Sequence, residues 1–143
     1  LHAIGRMAPK GGSDPWIRKY VFPGGYLPTL SETIAAAERA GMWVTDVEVL
    51  RLHYAETLRH WSERFAQERE TARMLYDERF CRMWEFYLAV CEMAFRNGRL
   101  MVFQIQLAKR RDAVPLTRDY IAKVKAGESA WDISTGTEFT RAG

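Results

Sequence analysis

The chain has 143 residues, 48% hydrophobic and 27% charged, with 21 Lys plus Arg against 18 Asp plus Glu. That is the balance of one ordinary soluble globular domain, and a chain of this size buries roughly two thirds of the surface its unfolded form exposes, enough for a core without metal or disulfide staples. A net charge of +3, with Arg interleaved among acids, argues against a dedicated nucleic-acid binder and leaves room for a mild preference for anionic lipid surfaces.

In chain order, Leu1 to Ile4 is short and apolar and ends at Gly5, which suits the end of a buried strand followed by a turn. His2 then stands at the carboxyl end of a strand, where open α/β sheets place ligands. With no Met at its start, the chain reads as truncated. Residues 8–14 (APKGGSD) read as a loop, and Asp14 before Pro15 caps a short helix over Trp16 to Phe22 that Pro23, Gly24 and Gly25 stop. Thr29 with Glu32 three residues on is a capping box, opening a helix to Ala40 with Gly41 as its left-handed terminator. Met42 to Leu50 switches to period two, which predicts a strand with Trp43, Val47 and Val49 on one face and Asp46 and Glu48 on the other.

From Arg51 to about Arg69 the helical period returns, and Tyr54, Leu58, Trp61 and Phe65 form one stripe. Asp77 opens a longer helix to Asn97, with Phe80, Trp84, Tyr87, Cys91 and Phe95 on its buried face and Gly98 at its end. Leu100 to Ala108 alternates again, with Met101, Phe103, Ile105 and Leu107 on one side. Beyond Lys109 the periodicity fades apart from a helix from Thr117 to Lys125, and the Gly-, Ser- and Thr-rich end reads as a mobile tail. The alternation fits a twisted α/β sheet flanked by helices. So small a sheet leaves unpaired edges, which predicts self-association as a homo-oligomer through an exposed strand.

The chemistry visible in motifs is sparse. Cys81 and Cys91 lie almost three turns apart on one helix, too far for a disulfide, and read as small buried hydrophobes in a reducing cytosol. His2, His53 and His60 lack any zinc-ligand spacing, so no metal is expected. There is no Gly-x-Gly-x-x-Gly, Walker loop or Gly-x-Ser-x-Gly elbow, and no apolar run approaches the ~20 residues that cross a bilayer. Position alone leaves His2 open between a ligand and a strand-end imidazole, and Tyr54 between a site phenol and a packed aromatic. The stripe of Trp61, Phe65, Trp84, Phe86, Tyr87 and Phe95 is likewise open between core and pocket.

Longer strings carry more. LHAIGR at 1–6, DPWIRKYVFPGGYLPTL at 14–30, HYAETLRHWSERF at 53–65, YDERFCRMWEFYLAVCEMAFR at 76–96 and VFQIQLAKR at 102–110 follow one another in an order that closely resembles the C-terminal half of cyclopropane-fatty-acyl-phospholipid synthases. That family also holds mycolic acid cyclopropane synthases and related lipid methyltransferases. The resemblance covers about residues 1–121 and leaves 122–143 outside it as a flexible tail. It implies the C-terminal part of a Rossmann-like (class I) methyltransferase fold dependent on S-adenosylmethionine, helix-rich and carrying the last three strands, with the helices between Arg51 and Asn97 covering the acyl chain.

The implied reaction adds a methylene from S-adenosylmethionine across a cis double bond of an unsaturated phospholipid acyl chain. An alkene is a weak nucleophile and the cation it forms is quenched by water, so alignment in a dry, aromatic pocket is required. A weak base must then remove one proton. In the family that base is a bicarbonate ion, and the resemblance assigns its holding to His2, the backbone of Ile4 and Tyr54, with a glutamate and a cysteine upstream of Leu1. Phe22, Leu58, Tyr87 and Cys91 match positions that line the acyl pocket. The cofactor's Gly-rich loop and ribose-binding acid also precede Leu1, so no cofactor-binding residue is expected in this chain and the chain alone is expected to be inactive. The implied location is cytoplasmic, peripheral to the inner membrane surface. Two other readings are a non-catalytic acyl-lipid-binding module and a related methyltransferase with a different acceptor.

Overall fold

Local signals set most of the elements in the computed structural model, which describes residues 1–7, 14–126, 130–131 and 138–139. The Asp14 carboxylate accepts from the backbone of Trp16 and Ile17 and starts α1 (Pro15–Tyr20). The Thr29–Glu32 capping box starts α2 (Leu30–Arg39), and Gly41 beyond its end takes a φ of 72° that a Cβ would strain. The expected helix after Arg51 forms as two pieces, α3 (His53–Gln67) and α4 (Arg69–Leu75). Asp77 caps α5 (Glu78–Arg96) through the Phe80 amide. Arg69 ties α4 to α5 through Glu78 at 2.7 Å and Glu85 at 2.5 Å.

Three strands form one sheet: β1 (His2–Arg6), β2 (Trp43–Val49) and β3 (Leu100–Ala108), in the order β1-β3-β2 with β3 antiparallel to both neighbours. His2 lies opposite Gln104, Ile4 opposite Val102 and Arg6 opposite Leu100, so these residues share one face. Central β3 is buried on both sides, with Val102 and Phe103, of opposite parity, 2% and 0% exposed. Against the Val102 face pack α3 and α5, through a core of Ala55, Leu58, Tyr87, Leu88 and Phe95. C-terminal to the sheet lie α6 (Asp119–Lys125) and the short antiparallel pair β4 (Ala130–Trp131) and β5 (Glu138–Phe139). The loop expected over 8–14 and the tail expected over 122–143 fall largely outside the described residues. No described helix is long and apolar enough to cross a membrane.

Two strand expectations are corrected. Gly5 does not turn the chain: β1 runs through it to Arg6, so His2 opens the strand rather than closing it, and Leu1 still accepts from the Ile105 amide at 2.8 Å. The glycine serves close approach instead. A Cβ there would lie 2.4 Å from Phe103 Cε1 and 2.7 Å from the Pro28 carbonyl oxygen. In β2 the register shifts between Val44 and Asp46, making Thr45 a bulge. Trp43 therefore sits opposite Ala108, with Asp46 and Glu48 opposite Gln106 and Gln104, on the face those acids occupy and not with Val47 and Val49.

Candidate acyl-chain cavity

Where β1 and the start of β3 face α3 and α5, the packing leaves a cavity of about 600 Å³. Ile4 and Leu100 form its sheet side, Tyr54 reaches it from the first turn of α3, and Tyr87, Cys91 and Phe95 reach it from α5. These three α5 positions are four residues apart, so each successive turn contributes one side chain. Ile17 and Phe22 close the side that faces α1. The aromatic walls brace one another: the Tyr54 ring lies 5.0 Å from that of Phe95 and 5.9 Å from that of Trp61, and Phe22 meets Tyr87 nearly edge-on at 6.1 Å.

Burial keeps three polar members of this wall, Tyr54, Tyr87 and Cys91, neutral. Burial pushes the Tyr54 phenol up, with Cys91 adding to the shift. Burial likewise pushes up Tyr87, reinforced by Cys91, and it raises the Cys91 thiol against an opposing hydrogen bond from Tyr87. Two phenols and a thiol therefore present no charge at neutral pH, while Arg6, Asp14 and Arg99 supply the charged part of the lining.

A pH dependence follows. Each group holds its proton to higher pH folded than unfolded, so its contribution is fully present below the unfolded pKa and is lost as pH rises. Stability is expected to decline above roughly pH 9, where an unfolded thiol and then an unfolded phenol ionise. Tyr87→Phe should flatten the alkaline part of that decline. Urea midpoints measured between about pH 8 and pH 11 check both statements.

Of the seven residues singled out from the sequence, five share this cavity: Ile4, Phe22, Tyr54, Tyr87 and Cys91. Two do not line it. Leu58 is completely buried in the core between α3 and its neighbours. His2 is exposed, two residues up the same sheet face from Ile4, with Nδ1 3.1 Å from Gln104 Nε2. The described residues thus bring together Ile4 and Tyr54 but not His2, and do not by themselves assemble a bicarbonate site. Nor do they include a Gly-rich strand-to-helix loop for S-adenosylmethionine, and no described cluster of His, Cys, Asp or Glu could hold a metal.

One wall residue escaped the sequence reading. Arg6 shares the face of Ile4 and lines the cavity, and its Nε and Nη2 atoms are buried without a hydrogen-bond partner among the described residues. The signal was the two-residue repeat from Ile4, hidden because Gly5 looked like a turn.

Comparison with known proteins places this architecture. The chain aligns with the mycolic acid cyclopropane synthase CmaA1 bound to SAH and CTAB at a TM-score of 0.68 and 30% identity, over 75% of this chain and 42% of that one. It aligns with the cyclopropane synthase MmaA2 of Mycobacterium tuberculosis at a TM-score of 0.70 and 27% identity, over 76% and 43%. The three strands and their helices are the C-terminal part of a class I, Rossmann-like, S-adenosylmethionine-dependent methyltransferase fold.

Within that class the assignment is specific. The family model for mycolic acid cyclopropane synthetase matches residues 1–105, and the chain belongs to that family. It is 46% identical over 106 residues to tuberculostearic acid methyltransferase UfaA1 of M. tuberculosis, covering 73% of this chain and 25% of the relative. A probable fatty acid methyltransferase of Pseudomonas putida is 44% identical over 108 residues, covering 76% and 27%. The cyclopropane-fatty-acyl-phospholipid synthase of Escherichia coli K12 is 35% identical over 109 residues, covering 76% and 28%. The chain thus spans about a quarter of the length of these curated relatives.

Proposed function

We propose that this chain forms the acyl-covering part of an S-adenosylmethionine-dependent enzyme that adds a methylene across a cis double bond of unsaturated phospholipid acyl chains, and that the chain alone is inactive. The observation that carries the reading is the 600 Å³ cavity walled mainly by hydrocarbon and aromatic rings, with Tyr54, Tyr87 and Cys91 held neutral and Arg6, Arg99 and Asp14 at its charged border. When bound, S-adenosylmethionine supplies an electrophilic methyl group. The chain's own residues do the rest of what this cavity can do. Ile4, Leu100 and Phe95 fix the alkene's orientation, which matters because a weak nucleophile gains most from alignment. The rings of Tyr54, Tyr87 and Phe22 exclude water and offer π-faces to developing positive charge. His2, the Ile4 backbone and Tyr54 are the groups that would hold bicarbonate, which would supply a base for the departing proton. Exposed Tyr20 and Phe86, with Lys19 beside Tyr20, support peripheral contact with the cytoplasmic membrane surface. The outer edge of β1 is the place for a second copy or for further strands.

A second reading has one observation in its favour: the two relatives at 46% and 44% identity are named as methyltransferases of fatty acids, not as cyclopropane synthases. The two outcomes share a cation: loss of a proton from the new methyl group with ring closure gives the cyclopropane, whereas a hydride shift before that loss gives an exocyclic methylene, so the product separates them. Incubating the complete enzyme containing this chain with S-adenosylmethionine and dioleoyl-phosphatidylglycerol vesicles and following the lipid by proton NMR is expected to show ring-methylene signals. A methylene product, or a methyl-branched alkene, would establish the second reading. Retained lipid without any alkylation would leave a binding module, and turnover by the 143-residue chain alone would overturn its inactivity.

A further inference from the structure

We propose that Arg6 anchors the headgroup end of the acyl ligand, its guanidinium pairing with an oxyanion attached to the chain that fills the cavity. The inference rests on the acyl-chain reading and adds the chemistry of the ligand's polar end.

A guanidinium is charged at every accessible pH, and burying two of its nitrogens without partners is costly unless an anion arrives. The neighbouring polar groups satisfy only part of the guanidinium. Tyr26 donates its hydroxyl proton to Glu32 Oε1 at 2.8 Å. That bond raises the Tyr26 pKa, and a side-chain hydrogen bond from Arg6 acts in the opposite sense, so the guanidinium meets the phenol oxygen while Nε and Nη2 stay unpartnered among the described residues. Asp14 also borders the cavity, but its Oδ1 is held by the Trp16 and Ile17 amides at 2.8 and 3.3 Å. No ion pair to Arg6 exists among the described residues.

Arg6 lies opposite Leu100, and Arg99, the residue before Leu100, lines the same cavity. Two cations thus stand beside Leu100 in a chamber whose other walls, Asp14 apart, are aliphatic and aromatic, among them Ile4, Phe22 and Phe95. Such a site is complementary to an anionic amphiphile. A carboxylate and a phosphate both match the guanidinium fork, so a fatty acid and a phospholipid meet the same recognition chemistry.

Isothermal titration of the full 143-residue chain with oleate, 1-oleoyl-lysophosphatidylglycerol and uncharged oleyl alcohol tests this. The wild-type chain should bind at least one anionic ligand about tenfold or more tighter than the alcohol, the ordinary worth of a hydrogen bond to a charged group. The tighter of the two anions identifies carboxylate or phosphate as the source. Arg6→Gln should erase the preference while keeping affinity for the alcohol, and Arg6→Lys should keep part of it. Because Arg6→Gln removes a charge with two buried, unpartnered nitrogens, it should unfold at about the same temperature as wild type. Should that variant fold poorly, the wild-type preference and its partial retention in Arg6→Lys decide the question. Equal affinity for charged and uncharged ligands, or a preference that survives Arg6→Gln, overturns the inference alone. Failure of all three ligands to bind overturns the acyl-chain reading and this inference with it.

Discussion

Phe103→Ala is expected to destabilise the fold by about 3 to 5 kcal/mol, the usual cost of emptying a fully buried phenylalanine site. Phe103 is 0% exposed on the central strand, between β1 and β2, where neither neighbour can collapse into the void without breaking its ladder. Gly5→Ala alone should cost about 1 to 3 kcal/mol by overpacking. The added methyl would sit 2.4 Å from Phe103 Cε1 and 2.7 Å from the Pro28 oxygen. In the Phe103→Ala background the first clash disappears and the second persists, because a backbone carbonyl cannot swing aside as a ring edge can. The double variant should therefore be more stable than the sum of the singles predicts, by about 0.5 kcal/mol or more. Urea denaturation of the four proteins closes the cycle, and strict additivity would show that the ring and the glycine do not share this contact.

That contact also explains what the sequence could and could not reveal. Asp14, Thr29 and Asp77 were legible as caps because a cap is satisfied within three residues of itself, whatever the rest of the chain does. Gly5 was misread because its reason lies in Phe103, almost a hundred positions away, and a glycine at a turn looks the same as a glycine under a ring. The Thr45 bulge was invisible for the same reason: it is a property of the pairing with β3, and one extra residue moves Trp43 to the opposite face. Leu58 fits the helical stripe equally well as core or as cavity wall, and only the packing of α3 against its neighbours decides for core. Within the cavity, periodicity identified the apolar faces of α3 and α5, and the family resemblance pointed to Tyr54, Tyr87 and Cys91 on those helices and to Ile4 and Phe22 outside them. Arg6 carried no motif at all, and its unpartnered nitrogens exist only in three dimensions.

The roles proposed for Tyr54 and His2 are separable by their coupling. Tyr54→Phe deletes one hydroxyl and keeps the ring contacts with Phe95 and Trp61, so the fold and the affinity for acyl ligands should be unchanged. In the complete enzyme its turnover is expected to fall about 10²-fold or more, within the range for losing a group that positions a base. His2→Ala removes an exposed ring whose partner is Gln104, and should also spare the fold while lowering turnover. His2 does not border the cavity that Tyr54 enters, so two independent functions would multiply their losses. Two holders of one small anion behave differently: once either is gone the anion is misplaced, and removing the other costs little more. The double variant is therefore expected to be no worse than the weaker single, with kcat carrying the loss and KM for the lipid unmoved. A double variant whose loss equals the product of the singles would place the imidazole and the phenol on separate tasks and remove the shared anion from the reaction.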